Sequence, residues 1–170
     1  MRRHQTLPVA LVIIALAAGC GATPWNDLNR GIEVAAAGAR VLDERVAEAM
    51  VEPHRQAREA AIAEARARLE LSAEEVFARV YLPLVQPWED LTLALEAFRV
   101  ALVLGRDVAA AWRDSRRLPD DPQPFCRDLG VATAHLLEGL AAVGLDVPGW
   151  LTGLPVVVTP VCGAVVAEVR

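Results

Sequence analysis

Asp128 and His135 lie seven residues apart, with Glu138 three further on, so a helix through this stretch carries all three on one face. A carboxylate beside an imidazole fixes its tautomer and orientation, which is the first requirement of general-base work. The plainer reading is the polar edge of an amphipathic helix. His135 and Glu138 also reverse the Glu-x-x-His order of di-iron bundles, and no other segment supplies matching ligands. Glu52 and His54 flank Pro53 and could border a cleft, but a kinked surface turn explains them as well. Ser72 stands three residues before Glu75, the spacing of a capping box, and Ser115 lies among arginines without the Gly-x-Ser-x-Gly setting of a nucleophile elbow. A phosphate loop, a dinucleotide fingerprint, CxxC and CxxCH are all missing from the sequence. We assign no catalytic residue, no cofactor and no metal, and expect a non-enzyme.

The three cysteines are Cys20, Cys126 and Cys162. Before the first stand Arg2 and Arg3, an apolar run from Val9 to Ala18, and Gly19. Basic residues, a short apolar stretch and small residues form the pattern of a secretory signal, and the run is too short to span a bilayer. Leu16-Ala17-Ala18-Gly19-Cys20 resembles the lipobox of bacterial lipoproteins, with Ala17 where Leu is commoner and Leu16 one place further out. The resemblance covers this segment alone. It implies a signal peptide over residues 1–19, acylation of Cys20 as the first mature residue, a lipidated tether over 20–25 and a single helical domain over 26–170. Gly21 rather than Asp after the cysteine implies outer-membrane sorting, with the domain facing the periplasm. An ordinary cleaved signal with an incidental Cys20, or a retained anchor, are the alternatives. With Cys20 lipidated, Cys126 and Cys162 remain as an even pair in an oxidising compartment, and a disulfide between them is expected rather than two buried thiols or a metal site.

Composition bounds the partners. Loss of the 19 residues before Cys20 leaves 151 of 170, about the size of one domain and enough for a core. Every one of the 17 basic residues is Arg, which with the Ala, Val, Leu and Pro content reflects a GC-rich coding sequence. The whole chain carries a formal charge of −5. Nucleic acid is excluded as an expected partner, because binding it requires a basic surface.

The elements follow from periodicity. Asn26 or Asp27 can cap a first helix whose apolar face is Ile32, Ala35, Ala39, Leu42, Val46 and Ala49, with Glu44 and Glu48 on its solvent face. Pro53 predicts a kink or break near Met50 to Glu52. A helix resumes over 54–71 with Glu64 and Arg68 as an i,i+4 pair. Ser72 restarts a short helix as far as Pro83, and Pro83 and Pro87 predict a turn. The stretch from Trp88 to about Ser115 carries two apolar stripes, one through Leu91, Leu95, Phe98 and Leu102, the other through Leu93, Ala97, Val100 and Leu104. Apolar over most of its circumference, it is expected in the bundle interior. The next helix has Phe125, Leu129, Ala132, Leu136, Leu140 and Val143 on its buried face and Gly144 as its stop. Asp146 to Pro155 reads as a loop around Trp150, and Thr159 with Pro160 predicts a last helix to about Val169, with a strand at Val156 to Val158 as the alternative.

The expected fold is all-α, an irregular bundle of four to five helices, orthogonal or up-and-down. The expected function is that of a membrane-anchored envelope lipoprotein whose domain binds another envelope protein or supports an assembly. A carrier for an apolar ligand, with Trp150 covering a cavity, comes second, and an enzyme last.

Overall fold

The computed structural model describes residues 23–163. Cys20, the signal segment and the end of the expected last helix lie outside them. Among the described residues the fold is all-α with no strand. The elements are α1 (Pro24–Ala49), α2 (Val51–Ala67), α3 (Ala73–Val76) leading into a π turn (Phe77–Tyr81), α4 (Leu82–Ser115), α5 (Gln123–Val143) and α6 (Gly149–Cys162).

Four of these helices close a ring in which α4 packs on α1 and α5, and α6 on the same two. Every adjacent pair is antiparallel. Arg99 and Arg106 of α4 meet Asp43 and Glu33 of α1 in reverse order, at 2.9 and 3.0 Å. The Arg106 terminal nitrogen also donates to Glu33 at 3.1 Å, whereas its Nε, though close, lies outside hydrogen-bond geometry. These pairs are largely exposed and steer register more than they stabilise. The core is the first stripe of α4 against α1 and α5, with Leu28, Ile32, Leu91, Phe98, Leu129, Leu136 and Val158 excluded from water. Close approach relies on missing side chains: a Cβ on Gly105 would meet Phe125 at 2.7 Å, and one on Gly139 would meet Leu91 at 3.0 Å. The Cys126 and Cys162 sulfurs are bonded, joining the start of α5 to the end of α6 with their Cα atoms 5.4 Å apart.

Several sequence expectations hold. The chain breaks at Met50, so Pro53 falls in the first turn of α2, where its missing N–H has no partner to lose. Glu64 and Arg68 pair at 2.9 Å. The capping box forms, with the Glu75 N–H donating to Ser72 Oγ at 3.2 Å and the Ser72 N–H to Glu75 Oε2 at 2.9 Å. Gly144 ends α5 in the left-handed region, and the Leu145 N–H reaches back to the Leu140 carbonyl at 2.9 Å.

Others are corrected. α1 starts at Pro24, behind Thr23, rather than at an Asn26 or Asp27 cap, because proline suits the first helical turn. α2 stops at Ala67, short of Leu71. No turn forms at Pro83 and Pro87. Helix runs from Ala73 through the π turn into α4, and the Leu82 N–H bonds the Phe77 carbonyl five residues back. That wider turn lies just before Pro83, whose ring would clash with the carbonyl four residues earlier in regular α geometry. The loop expected over Asp146 to Pro155 holds only as far as Pro148; from Gly149 the chain is already α6, which contains both Pro155 and Pro160. Burial of Leu151, Leu154, Val158 and Val161 against the ring outweighs those breakers. Thr159 is no cap: its hydroxyl donates to the Pro155 carbonyl at 2.6 Å.

The α4 helix is also less enclosed than expected. In a four-helix ring each helix touches two neighbours, so a third side faces out. The second stripe lies there, with Leu93 68% and Val100 54% exposed. Outside the ring, α2, α3 and the π turn form an arm in which Ala57 is the one buried residue of α2.

Candidate functional site

Asp128, His135 and Glu138 do share one face of α5, as their spacing predicts, but the structure does not assemble them into a catalytic group. Asp128 accepts from Arg127 Nε at 3.1 Å. Among the described residues the His135 ring bonds neither carboxylate. His54 lies elsewhere, in the arm, where its Nδ1 is 2.9 Å from the Tyr81 hydroxyl. Glu52 takes two hydrogen bonds from Arg55, at 2.6 and 2.9 Å, and these, followed by one from Gln56, hold its carboxyl below the usual range.

Both serines are occupied by backbone. Ser72 caps α3, and Ser115 Oγ lies 2.8 Å from the Ala111 carbonyl and 2.7 Å from that of Arg117, closing the end of α4. Among the described residues neither serine bonds a histidine, and no three His, Cys, Asp or Glu side chains are grouped to hold a metal ion. The resolved carboxyl shifts, at Glu52, Glu75 and Asp114, all favour the ionised form and arise from hydrogen bonds to neighbours in sequence. A general acid needs the opposite shift.

What the fold does build from these residues is a groove. On the outer side of α4 and α5, two open hollows of about 450 and 510 Å3 adjoin, sharing Ala97 and His135. Leu93 and Ala94 line the first, and Val100, Leu104 and Val131 the second. Asp90 and Glu138 stand on either side of the first hollow, and Arg127 with Asp128 ends the second. The α4 residues 93, 97, 100 and 104 alternate steps of four and three, and on α5 so do 128, 131, 135, 138 and 142. Each is the seam spacing of a helix that packs against another helix.

Trp150 lines a third hollow of about 420 Å3 between α1 and the start of α6, with Gly38, Val41 and Leu42. Its ring also packs on Phe98, centroids 5.7 Å apart. Trp88, Trp112 and Trp150 are partly buried against the core, as their sequence setting suggests. The sequence reading missed Trp25, which meets Trp112 edge-on at 6.2 Å with the Arg116 guanidinium 5.0 Å from its centroid. That contact accompanies a left-handed φ of 58° at Arg116, an uncommon conformation for a residue with a side chain. The signal available in the sequence was Arg116 and Arg117 just beyond a helix end.

No helix among the described residues is long and apolar enough to cross a membrane. Comparison with family models, curated proteins and solved structures gives no match to this chain.

Proposed function

We propose that the protein is a lipid-anchored component of a bacterial cell envelope, attached through Cys20 and probing the periplasm with a non-catalytic helical domain that binds another envelope protein. The anchor rests on the resemblance of Leu16 to Cys20 to a lipobox. The observation that carries the binding role is the second apolar stripe of α4, which the bundle leaves exposed although the sequence keeps it apolar at helix-packing spacing. An engaged pair of serines and an unassembled Asp128, His135 and Glu138 accord with binding rather than catalysis. A formal charge of −5 over the whole chain argues against nucleic acid as the partner.

Two measurements test this. Intact mass of the native protein should show an acylated Cys20 at the mature N-terminus, and Cys20→Ser should move the chain out of the membrane fraction or leave a longer precursor. Photo-crosslinkers on the arm, on α1 and in the groove should yield an adduct with an envelope protein from native membranes. An unmodified Cys20 within a longer chain overturns the anchor, and a chain giving no adduct from any of the three surfaces overturns the adaptor.

A second reading, a carrier for an apolar molecule, is favoured by the hollow beside Trp150. Quenching of Trp150 fluorescence by a long-chain fatty acid, lost in Val41→Asp, would support it.

A further inference from the structure

The α4–α5 groove has a shape and a charge pattern that select one kind of occupant. Its two walls are single helices with seam spacing, so the valley between them accepts the ridge of one further helix in the way a third helix enters a coiled coil. From Asp90 to Leu104 the α4 wall spans 15 residues, about 21 Å, so the entering helix needs about four turns. Its apolar stripe would cover Leu93, Val100, Leu104 and Val131, of which Val100 and Val131 are 54% and 51% exposed. The first hollow is flanked by Asp90 and Glu138 with no arginine in its lining, and the Arg127–Asp128 pair in the second is internally neutral. Glu96 and Asp107, exposed on α4 beside the stripe, add to the acidic border.

We infer that this groove is a docking site for an amphipathic helix of a partner protein whose apolar stripe is flanked by Arg or Lys. It deepens the adaptor reading and rests on it only in taking a protein as the ligand. Rim charges of opposite sign guide encounter and exclude wrong partners, while the apolar centre supplies most of the affinity. A second copy of this chain fits less well. Two identical valleys do not interdigitate, and the copy brings the same acids on a chain of net charge −5.

The test uses the full chain in detergent and two fluorescent helical peptides of about 18 residues, one turn longer than the groove wall. Both carry the same Leu and Ala stripe; one is flanked by Arg and the other by Glu. Fluorescence anisotropy should show the Arg peptide binding at least about tenfold more tightly, the scale of one or two rim pairs. Val100→Arg with Val131→Arg, at two exposed positions that leave the core intact, should abolish that preference or reverse it. Glu44→Arg with Glu48→Arg, on α1, should leave it unchanged. Equal binding of both peptides, or a preference that survives the Val100 and Val131 changes, overturns the groove. So does a dimer in sedimentation that those two changes dissolve, since it gives the groove to a second copy, and so does a crosslink from position 100 to residues 164–170 of the same chain. If the groove variant keeps its envelope-protein adduct in native membranes and the α1 variant loses it, the adaptor stands and the groove falls; if no surface gives an adduct, the adaptor itself falls.

Discussion

The indole of Trp150 occupies the space that a side chain on Gly38 would need: a Cβ built there would lie 2.5 Å from the ring. This is where α6 crosses α1, and it lets the first turn of α6 reach the bundle. Gly38→Ala gains helix propensity in α1 but forces the ring away from Phe98. Overpacking of this kind costs about 1–3 kcal/mol, and the alanine returns at most about 1. We expect a net loss, seen as a lower thermal midpoint. Gly130 is the matched control, since nothing lies within 4 Å of its Cβ position on α5, and Gly130→Ala should raise the midpoint.

Reduction of Cys126–Cys162 should destabilise the domain without unwinding it. A bridge across a separation of 36 residues removes chain entropy worth about 4 kcal/mol in the unfolded state. For a domain of this size, that corresponds to a fall of roughly 10 °C in the thermal midpoint. Circular dichroism below the transition should change little, because α5 packs on α4 and α6 on α1, with Leu129, Leu136 and Val158 in the common core. Peptide mapping that recovers both cysteines as free thiols from freshly isolated native protein would contradict the bond.

The capping box carries a pH signature. The Ser72 N–H, and after it the Ser72 hydroxyl, donate to Glu75 and hold its carboxyl below the usual glutamate range. Because the folded value is the depressed one, the contribution of this contact is complete at neutral pH and is lost as pH falls through that value. Carboxyl NMR titration of Glu75 should give a low midpoint, and Ser72→Ala should move it part of the way back. An unmoved midpoint would show that the hydroxyl has no influence on it.

His54 and His135 should behave differently. His54→Ala removes the hydrogen bond to Tyr81 and is expected to loosen the arm by about 1 kcal/mol. Proteolysis near the α2 to α3 connection reads that loosening. His135→Ala touches an exposed ring and should leave stability unchanged. Loss of the cellular phenotype in His135→Ala, with fold and partners retained, would bring catalysis back into consideration.

Helix periodicity made the ring legible. Ile32, Ala35, Leu42 and Val46 bury as their spacing predicts, and so does the Phe125 to Leu140 face. Punctuation was less readable. Pro83, Pro87, Pro155 and Pro160 look like stops one residue at a time, yet a π turn and the burial of neighbouring leucines and valines carry helix past all four. The groove was half visible: the spacing identified both stripes of α4, but how many neighbours cover a helix depends on the closure of the ring, which no single segment encodes. Asp128, His135 and Glu138 were placed on one face correctly, although what that face looks toward is set by α4.

The disulfide gives the α5–α6 turn an unusual tolerance to being severed. Residues 144–148 lie between Cys126 and Cys162, so an endopeptidase cut there leaves both pieces in one covalent molecule. A nicked chain would migrate intact on a gel until reductant is added, and its severed helices would remain beside each other for the bundle to close again. Wherever proteases reach the chain, that converts a break in the polypeptide from loss of the protein into a repairable opening.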